Sequence, residues 1–235
     1  MAISPAIAIL VVAPLLFLFG MILYRVLFER VVIGSTELVP QLSLTVGISF
    51  TLVTISQWIF SPNHRAITVP WTTTYYDLGA VFISQAQLIA FGVSLAVSLL
   101  LWLFLGRTDF GRAMRAMVDD RDVAQMMGVN SRKIYTFAVG TSAALAGVGG
   151  AILMTYYTVF PHVGLQFLPL SFVAVVMGGM GNVLGAFVGG IVVGVVQQMT
   201  GVYVSYQLQN AGLMVVFILI LLVRPSGLFG KEGVL

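Results

Sequence analysis

Apolar residues fall in six blocks along this chain, at about residues 2–24, 38–59, 81–105, 134–157, 169–199 and 208–223. Most are long enough for a bilayer-spanning helix, which takes about 20 mostly apolar residues. No Asp, Glu, Lys or Arg occurs from Leu78 to Gly106, nor again from Ile134 to Val223. Between these uncharged runs, residues 106–133 hold ten of the nineteen charged residues in the sequence. A polar island flanked in this way needs water on one side of an apolar slab. The pattern predicts an all-α integral membrane protein, one transmembrane domain over 1–235, with an extramembrane loop at 106–133.

Composition agrees with that class: 59% of residues are apolar, 8% are charged, and the mean hydropathy is +1.05. A soluble domain carries roughly 25% charged residues. The net charge of +3 comes from basic residues in loops bordering the apolar blocks, where it reports topology and not nucleic-acid binding. With no cysteine and only His64 and His162 as histidines, thiolate and His-cluster metal sites are not expected, and no cofactor is read from the sequence.

Charge also orients the chain. The block at 2–24 begins almost at Met1 and meets Arg25 and Arg30; it lacks the basic start and cleavage site of a signal peptide. Pro40 fits the first turn of the second block, and the stretch 61–77 contains Arg65 alone among the eleven Lys/Arg. That places 61–77 outside, where Trp71, Tyr75 and Tyr76 suit the interfacial belt. Ser131 is a plausible cap for the fourth block, in which Ala143, Gly147 and Ala151 form a small-residue stripe at spacing four. The block at 169–199 is interrupted by Gly178-Gly179-Met180-Gly181-Asn182. Read as one crossing, it would leave Arg224 and Lys231 outside. Read as a re-entrant pair of short helices, it puts ten of the eleven basic residues and the C-terminus in the cytoplasm. The second reading is preferred, because a broken helix at membrane depth must be sheltered by protein or line a cavity.

Two stretches carry candidate chemistry. In the loop, Asp119 or Asp120 is a good N-cap, Asp122 suits a first turn and Gly128 suits the C′ position. Between them Val123, Met126 and Met127 recur at i, i+3, i+4, an apolar stripe on a short helix outside the membrane. Such a stripe either enters a partner's groove or rests on the lipid surface. In the glycine-rich break, most glycines are expected to pack helices, including the run Gly181, Gly185, Gly189 and the pair Gly190 and Gly194. A half-helix starting after Asn182 would aim a positive dipole end into the membrane, so Gly178, Gly179, Gly181 and Asn182 are candidate translocation-path residues. The run lacks the Gly-Lys-Ser/Thr of a phosphate-binding loop, so any ATP hydrolysis belongs to other chains. Gln197 and Gln198 are expected to bond across helices or face outside, and His162 to cap an external turn.

The run GRAMRAMVDDRDVAQMMGVNSRKIYTFAVG resembles the permeases of high-affinity branched-chain amino acid ABC importers. So do Ala146-Gly147-x-Gly149-Gly150, the block Phe172–Val196, the end RPSGLFG from Arg224, and the turn Glu29-Arg30-Val31. Within it, Asp122-Val123-Ala124 and Gly128 look like the loop by which such permeases dock their ATPases. The resemblance extends from near residue 1 to the C-terminus. It departs at the start: members usually begin with a further Gly-rich span and an Asn-Phe-Ala-His-Gly-like motif, unmatched here, so a truncated or late-assigned N-terminus is expected.

The resemblance implies a type II ABC-importer-like helical bundle in the bacterial inner (plasma) membrane. Its implied partners are two ATP-binding cassette subunits, a second homologous permease, alike or different, and a periplasmic substrate-binding protein. Coupling to the ATPases is expected from Arg115, Asp120, Val123, Ala124, Met127 and Gly128, and an arginine at Ala124 is expected to disturb docking without touching any span. Urea or short amides stay open as substrates beside branched-chain and other small amino acids. A proton- or sodium-coupled carrier is disfavoured because no ionisable residue lies in an expected span. A membrane enzyme would need buried acids, His or Cys at helical spacing. A passive channel or a structural membrane subunit are the readings from another class.

Overall fold

The computed structural model describes residues 5–29, 38–63, 75–77, 82–224 and 226–230. They are mostly helical: α1 (Pro5–Leu23) runs into a π-helical turn (Tyr24–Phe28), followed by α2 (Leu38–Phe60), α3 (Gln85–Arg107), α4 (Asp109–Asp119), α5 (Arg121–Met126), α6 (Ser131–Leu153), α7 (Val163–Gly178), α8 (Val183–Tyr203) and, after one 3₁₀ turn (Tyr206–Leu208), α9 (Gln209–Val223). A small antiparallel ladder joins β1 (Tyr75–Asp77), at the end of the stretch expected to be external, to β2 (Phe82–Ser84), within the first residues expected of the third span, with Tyr76 opposite Ile83. Among the described residues six helices are long and apolar enough to cross a membrane, and α7 is a shorter apolar helix. The chain is a multi-pass membrane protein.

The third span starts at Gln85, four residues after the expected start, because β2 occupies Phe82–Ser84. The fourth spans Ser131–Leu153 where 134–157 was expected: Asn130, not Ser131, caps it, its Oδ1 accepting from the Lys133 N–H at 3.2 Å. Arg65 and the Glu29-Arg30-Val31 turn beyond Glu29 lie outside the described residues.

Two compact units emerge where the sequence reading expects one permease domain: residues 1–94 with 109–162, and residues 95–108 with 163–235. In the first, α1 and α6 pack antiparallel at close range. A Cβ on Gly140 would come 2.8 Å from Met21 Cγ and 3.0 Å from Phe17 O, and one on Gly147 would meet Leu16 Cδ1 at 2.4 Å. Small residues are how helices approach in lipid, where association gains come from contact and not from expelling water. Ala143 belongs to the same seam, its Cβ lying opposite Gly20. The small-residue stripe of the fourth span therefore has its partner in the first.

In the second unit α7, α8 and α9 form an antiparallel series. The break falls at Gly179–Asn182 as the sequence indicates, with Gly179 at φ +100° and Gly181 at φ +88° turning the chain. The helices extend further than expected on both sides: α7 begins at Val163 and carries Pro169 inside it, a residue that membrane helices tolerate. The 21 residues of α8 give about 31 Å, the full thickness of a hydrocarbon core. Val173, Met177, Val193 and Leu213 make the buried core of the three.

After α9 the chain folds back over the α7–α8 turn. Leu228 N–H donates to Met177 O at 2.8 Å and Phe229 N–H to Gly178 O at 3.2 Å, so the segment 226–230 satisfies carbonyls that the end of α7 leaves open. The glycine turn therefore lies at the same end of this unit as Arg224.

Candidate functional site

The loop 106–133 folds into two short helices built from the sequence signals already noted. α4 is strongly two-faced: Phe110, Ala113, Met114 and Met117 turn inward, while Arg112, Arg115, Val118 and Asp119 are exposed. Arg112 and Asp109 form an ion pair on its outer side. α5 begins at an Asp120 cap whose Oδ1 accepts from the Asp122 and Val123 N–H groups at 2.9 and 3.1 Å. It ends at Gly128, φ +87°, where Gly128 N–H donates to Gln125 O and Val129 N–H to Ala124 O. This is the Schellman arrangement, and Val129 packs over Ala124 beneath it. Asp119 is left to end α4, which resolves the choice of cap.

Of the six residues expected to serve coupling, five surround α5 and Arg115 lies exposed on α4. Val123 is 55% exposed and Met127 81%. Asp120 and Gly128 hold the two ends of the helix. Ala124 departs from expectation: it is 4% exposed and packs into a cluster with Met117 and Ile134. The reason is geometric. In two turns of helix only one line of side chains points down, and Ala124 occupies the line that meets α6, one position after Val123. The exposed apolar face is thus Val118, Val123, Met126 and Met127, with Met126 at 85% exposure. Val118 was not singled out in sequence because it sits past the end of the stripe, on the other helix.

The seat beneath α5, made by Met117 with Ile134, Phe110 and Val129, also went unread. Its signal was present in the apolar spacing of Phe110, Met114 and Met117. A Gly128→Ala change isolates the contribution of the helix end. Open space surrounds the glycine, so only the backbone objects. The left-handed conformation then costs about 1–2 kcal/mol, to be read as a faster hydrogen exchange of α5 amides with the spans unaffected.

The second candidate group is held by protein contacts except at Gly181, which is exposed with nothing within 4 Å of its Cβ position. Asn182 caps α8, its Oδ1 accepting from the Gly185 N–H at 3.1 Å, while its Nδ2 lies 3.5 Å from Phe229 O. A Cβ on Gly178 would come 2.2 Å from Gly185 O, and one on Gly179 would come 2.6 Å from Gly230 N. What unites Gly178, Gly179, Gly181 and Asn182 in the structure is the turn and its packing. At the far end of the same helices Gln197 Nε2 donates to Asn210 Oδ1 at 3.0 Å, the interhelical bond expected of it. His162 meets Gln57, in the last turn of α2, across Nε2 atoms 2.5 Å apart. Among the described residues no group of three or more His, Cys, Asp or Glu is placed to hold a metal. An open cleft of about 620 Å³ lies between α1 and α2, lined by apolar side chains with only Ser43 and Thr51 as polar ones.

The described residues thus combine apolar helices of spanning length with a capped amphipathic loop. The family model for the branched-chain amino acid transport system / permease component matches residues 1–223. The chain belongs to this family. It is similar to the high-affinity branched-chain amino acid transport system permease protein LivH of Escherichia coli (strain K12), with 29% identity over 165 residues, 70% of this chain and 54% of that protein. It is similar also to the high-affinity branched-chain amino acid transport system permease protein BraD of Pseudomonas aeruginosa, 31% identical over 221 residues, 92% of this chain and 71% of that one. A more distant likeness is to the fructose import permease protein FrcC of Rhizobium meliloti, 33% identical over 172 residues, 66% of this chain and 46% of that protein. The match to LivH spans about half of that relative's length. No solved structure matches the chain.

Proposed function

We propose that this chain is a non-enzymatic permease subunit of an ABC importer in a bacterial inner membrane, carrying branched-chain or other small amino acids. ATP hydrolysis is assigned to two partner subunits that dock on α5, delivery to a periplasmic binding protein, and the other half of the path to a second homologous permease. The observation that carries the reading is the exposed apolar face of α5 on a helix fixed at both ends and seated on α6. A rigid short helix with Met126 and Met127 in water suits insertion into a groove, where a few central anchors supply most of the binding free energy. The substrate class follows LivH and BraD, both branched-chain amino acid permeases, which favours amino acids over urea or short amides. FrcC shows that relatives outside that group move other solutes.

The test replaces Met126 and Met127 together by Glu. Both side chains are exposed, so the fold is expected to change by less than about 0.5 kcal/mol. ATPase subunits are expected to co-purify with the unaltered chain and to be lost from the double variant, a drop in affinity of about thirtyfold or more for two anchors. Intact-mass identification of the partners reads the result. Full retention of the ATPases by the variant would overturn α5 as the docking element.

A further inference from the structure

We infer that Glu29, paired with Arg132, is a positioning residue that carries the displacement of the docking loop into α1; this rests on the reading of α5 as the ATPase contact. Three contacts run in parallel from the loop and the start of α6 to the first span, all inside one compact unit. Phe110 of α4 meets Phe137 of α6 with ring centroids 4.5 Å apart, and Phe137 meets Phe17 of α1 edge-on at 5.2 Å. The Arg121 guanidinium, at the first position of α5, lies 5.6 Å from the centroid of the Tyr135 ring, which lies 6.4 Å from the Tyr24 ring. Arg132 Nε donates to Glu29 Oε1 at 2.6 Å.

The first two links are ring contacts, broad and tolerant of small shifts. The third is directional and joins the end of the π-helical turn to the first turn of α6. A π-turn is a local widening of the helix that recurs at functional positions, and here its cap is the Glu29 N–H donating to Tyr24 O. Two polar atoms at this turn, the Tyr24 hydroxyl and Glu29 Oε2, are buried without a hydrogen-bond partner among the described residues. Buried polar atoms are nearly always paired, and an orphan is costly. These two sit at the start and the end of the π-turn, so a change in that turn would be able to bring partners to both. Glu29 is thus where a pull from Arg132 finds a segment able to rearrange, while the close α1–α6 seam below it moves as one body.

Stability alone does not account for the pair: Glu29 is 13% exposed, but its partner Arg132 is 62% exposed, and water at that end weakens the ion pair. Its contribution should appear in coupling. The experiment uses the assembled transporter in liposomes and reads ATPase co-purification, ATP hydrolysis and amino acid uptake for Glu29→Gln, Arg132→Gln and the exchanged pair Glu29→Arg/Arg132→Glu. Co-purification and hydrolysis are expected to persist. Uptake per ATP is expected to fall about tenfold in each single variant, within the range by which residues along a coupling route act, and to recover most of that loss in the exchanged pair. Glu29→Asp, which keeps the charge, should lie between wild type and Glu29→Gln and guards against a variant that fails to fold. Unchanged uptake per ATP in the single variants, with ATPases bound, overturns this inference alone. Parallel loss of hydrolysis and thermal stability, unrelieved by the exchange, also overturns it, since that is the mark of a purely structural pair. Absence of ATPases from the unaltered chain would instead overturn the docking reading on which it rests.

Discussion

Gly189→Val is expected to unfold the α7–α8 pair, whereas Gly190→Val, one residue along, is expected to leave it intact. A Cβ at Gly189 would stand 2.1 Å from the carbonyl oxygen of Ala174 and 3.0 Å from the Gly178 nitrogen. Both obstacles are backbone, so no rotamer change relieves them and the helices must separate along their seam. Overpacking a well-packed interior costs about 1–3 kcal/mol where side chains can yield, and a clash with fixed backbone should exceed that range. Val173, Met177 and Val193, buried beside the seam, would lose contacts at the same time. At Gly190 nothing lies within 4 Å, and valine is the better helix former by a few tenths of a kcal/mol. Thermal challenge followed by size-exclusion analysis of the detergent-solubilised chain would separate the two outcomes. Equal tolerance at both positions would mean that α7 and α8 do not pack through this face.

Ala124→Arg is expected to be the most damaging single change in the loop, and to act through the fold. The methyl group is enclosed by Met117, Ile134 and Val129, with no charged partner among them. An arginine there must either bury its charge, at several kcal/mol, or reach water by lifting α5 off its seat. Limited trypsin digestion should report the second: cleavage after Arg115 and Arg121, restrained while α4 and α5 are helical, would accelerate at least tenfold if opening becomes easier by about 1.4 kcal/mol. The Met126/Met127 double variant should digest like the unaltered chain. Loss of ATPase binding in Ala124→Arg therefore reports the seat, and loss in the double variant reports the face. An unchanged digestion rate in Ala124→Arg would mean that the loop packs differently.

The sequence by itself determined the class, the approximate spans and the existence of a capped helix in the charged loop. These rest on local physics. A charge-free run of such length has few environments, an Asp three residues before an apolar stripe is a cap in any context, and Gly128 suits a left-handed turn wherever it occurs. It also placed the break at Gly178–Asn182, because clustered glycines interrupt a helix regardless of neighbours. The stripe of Ala143 and Gly147 was legible as a packing face.

Only the tertiary structure decided which partner each face meets. Val123 and Ala124 are adjacent and alike in hydropathy, and 100° of helical rotation sends one into water and the other onto Ile134. The direction of that rotation depends on where α6 lies, which no local pattern encodes. The segment 226–230 follows the last span in sequence, yet its amides close the carbonyl end of α7 some fifty residues earlier in the chain. The pairing of Glu29 with Arg132 likewise joins residues over a hundred positions apart. Long-range pairs of this kind are selected by packing among several apolar helices of similar length. In a membrane protein hydropathy has already been spent on placing those helices in the bilayer, so the fine fit of glycines, rings and a few polar bonds decides their neighbours.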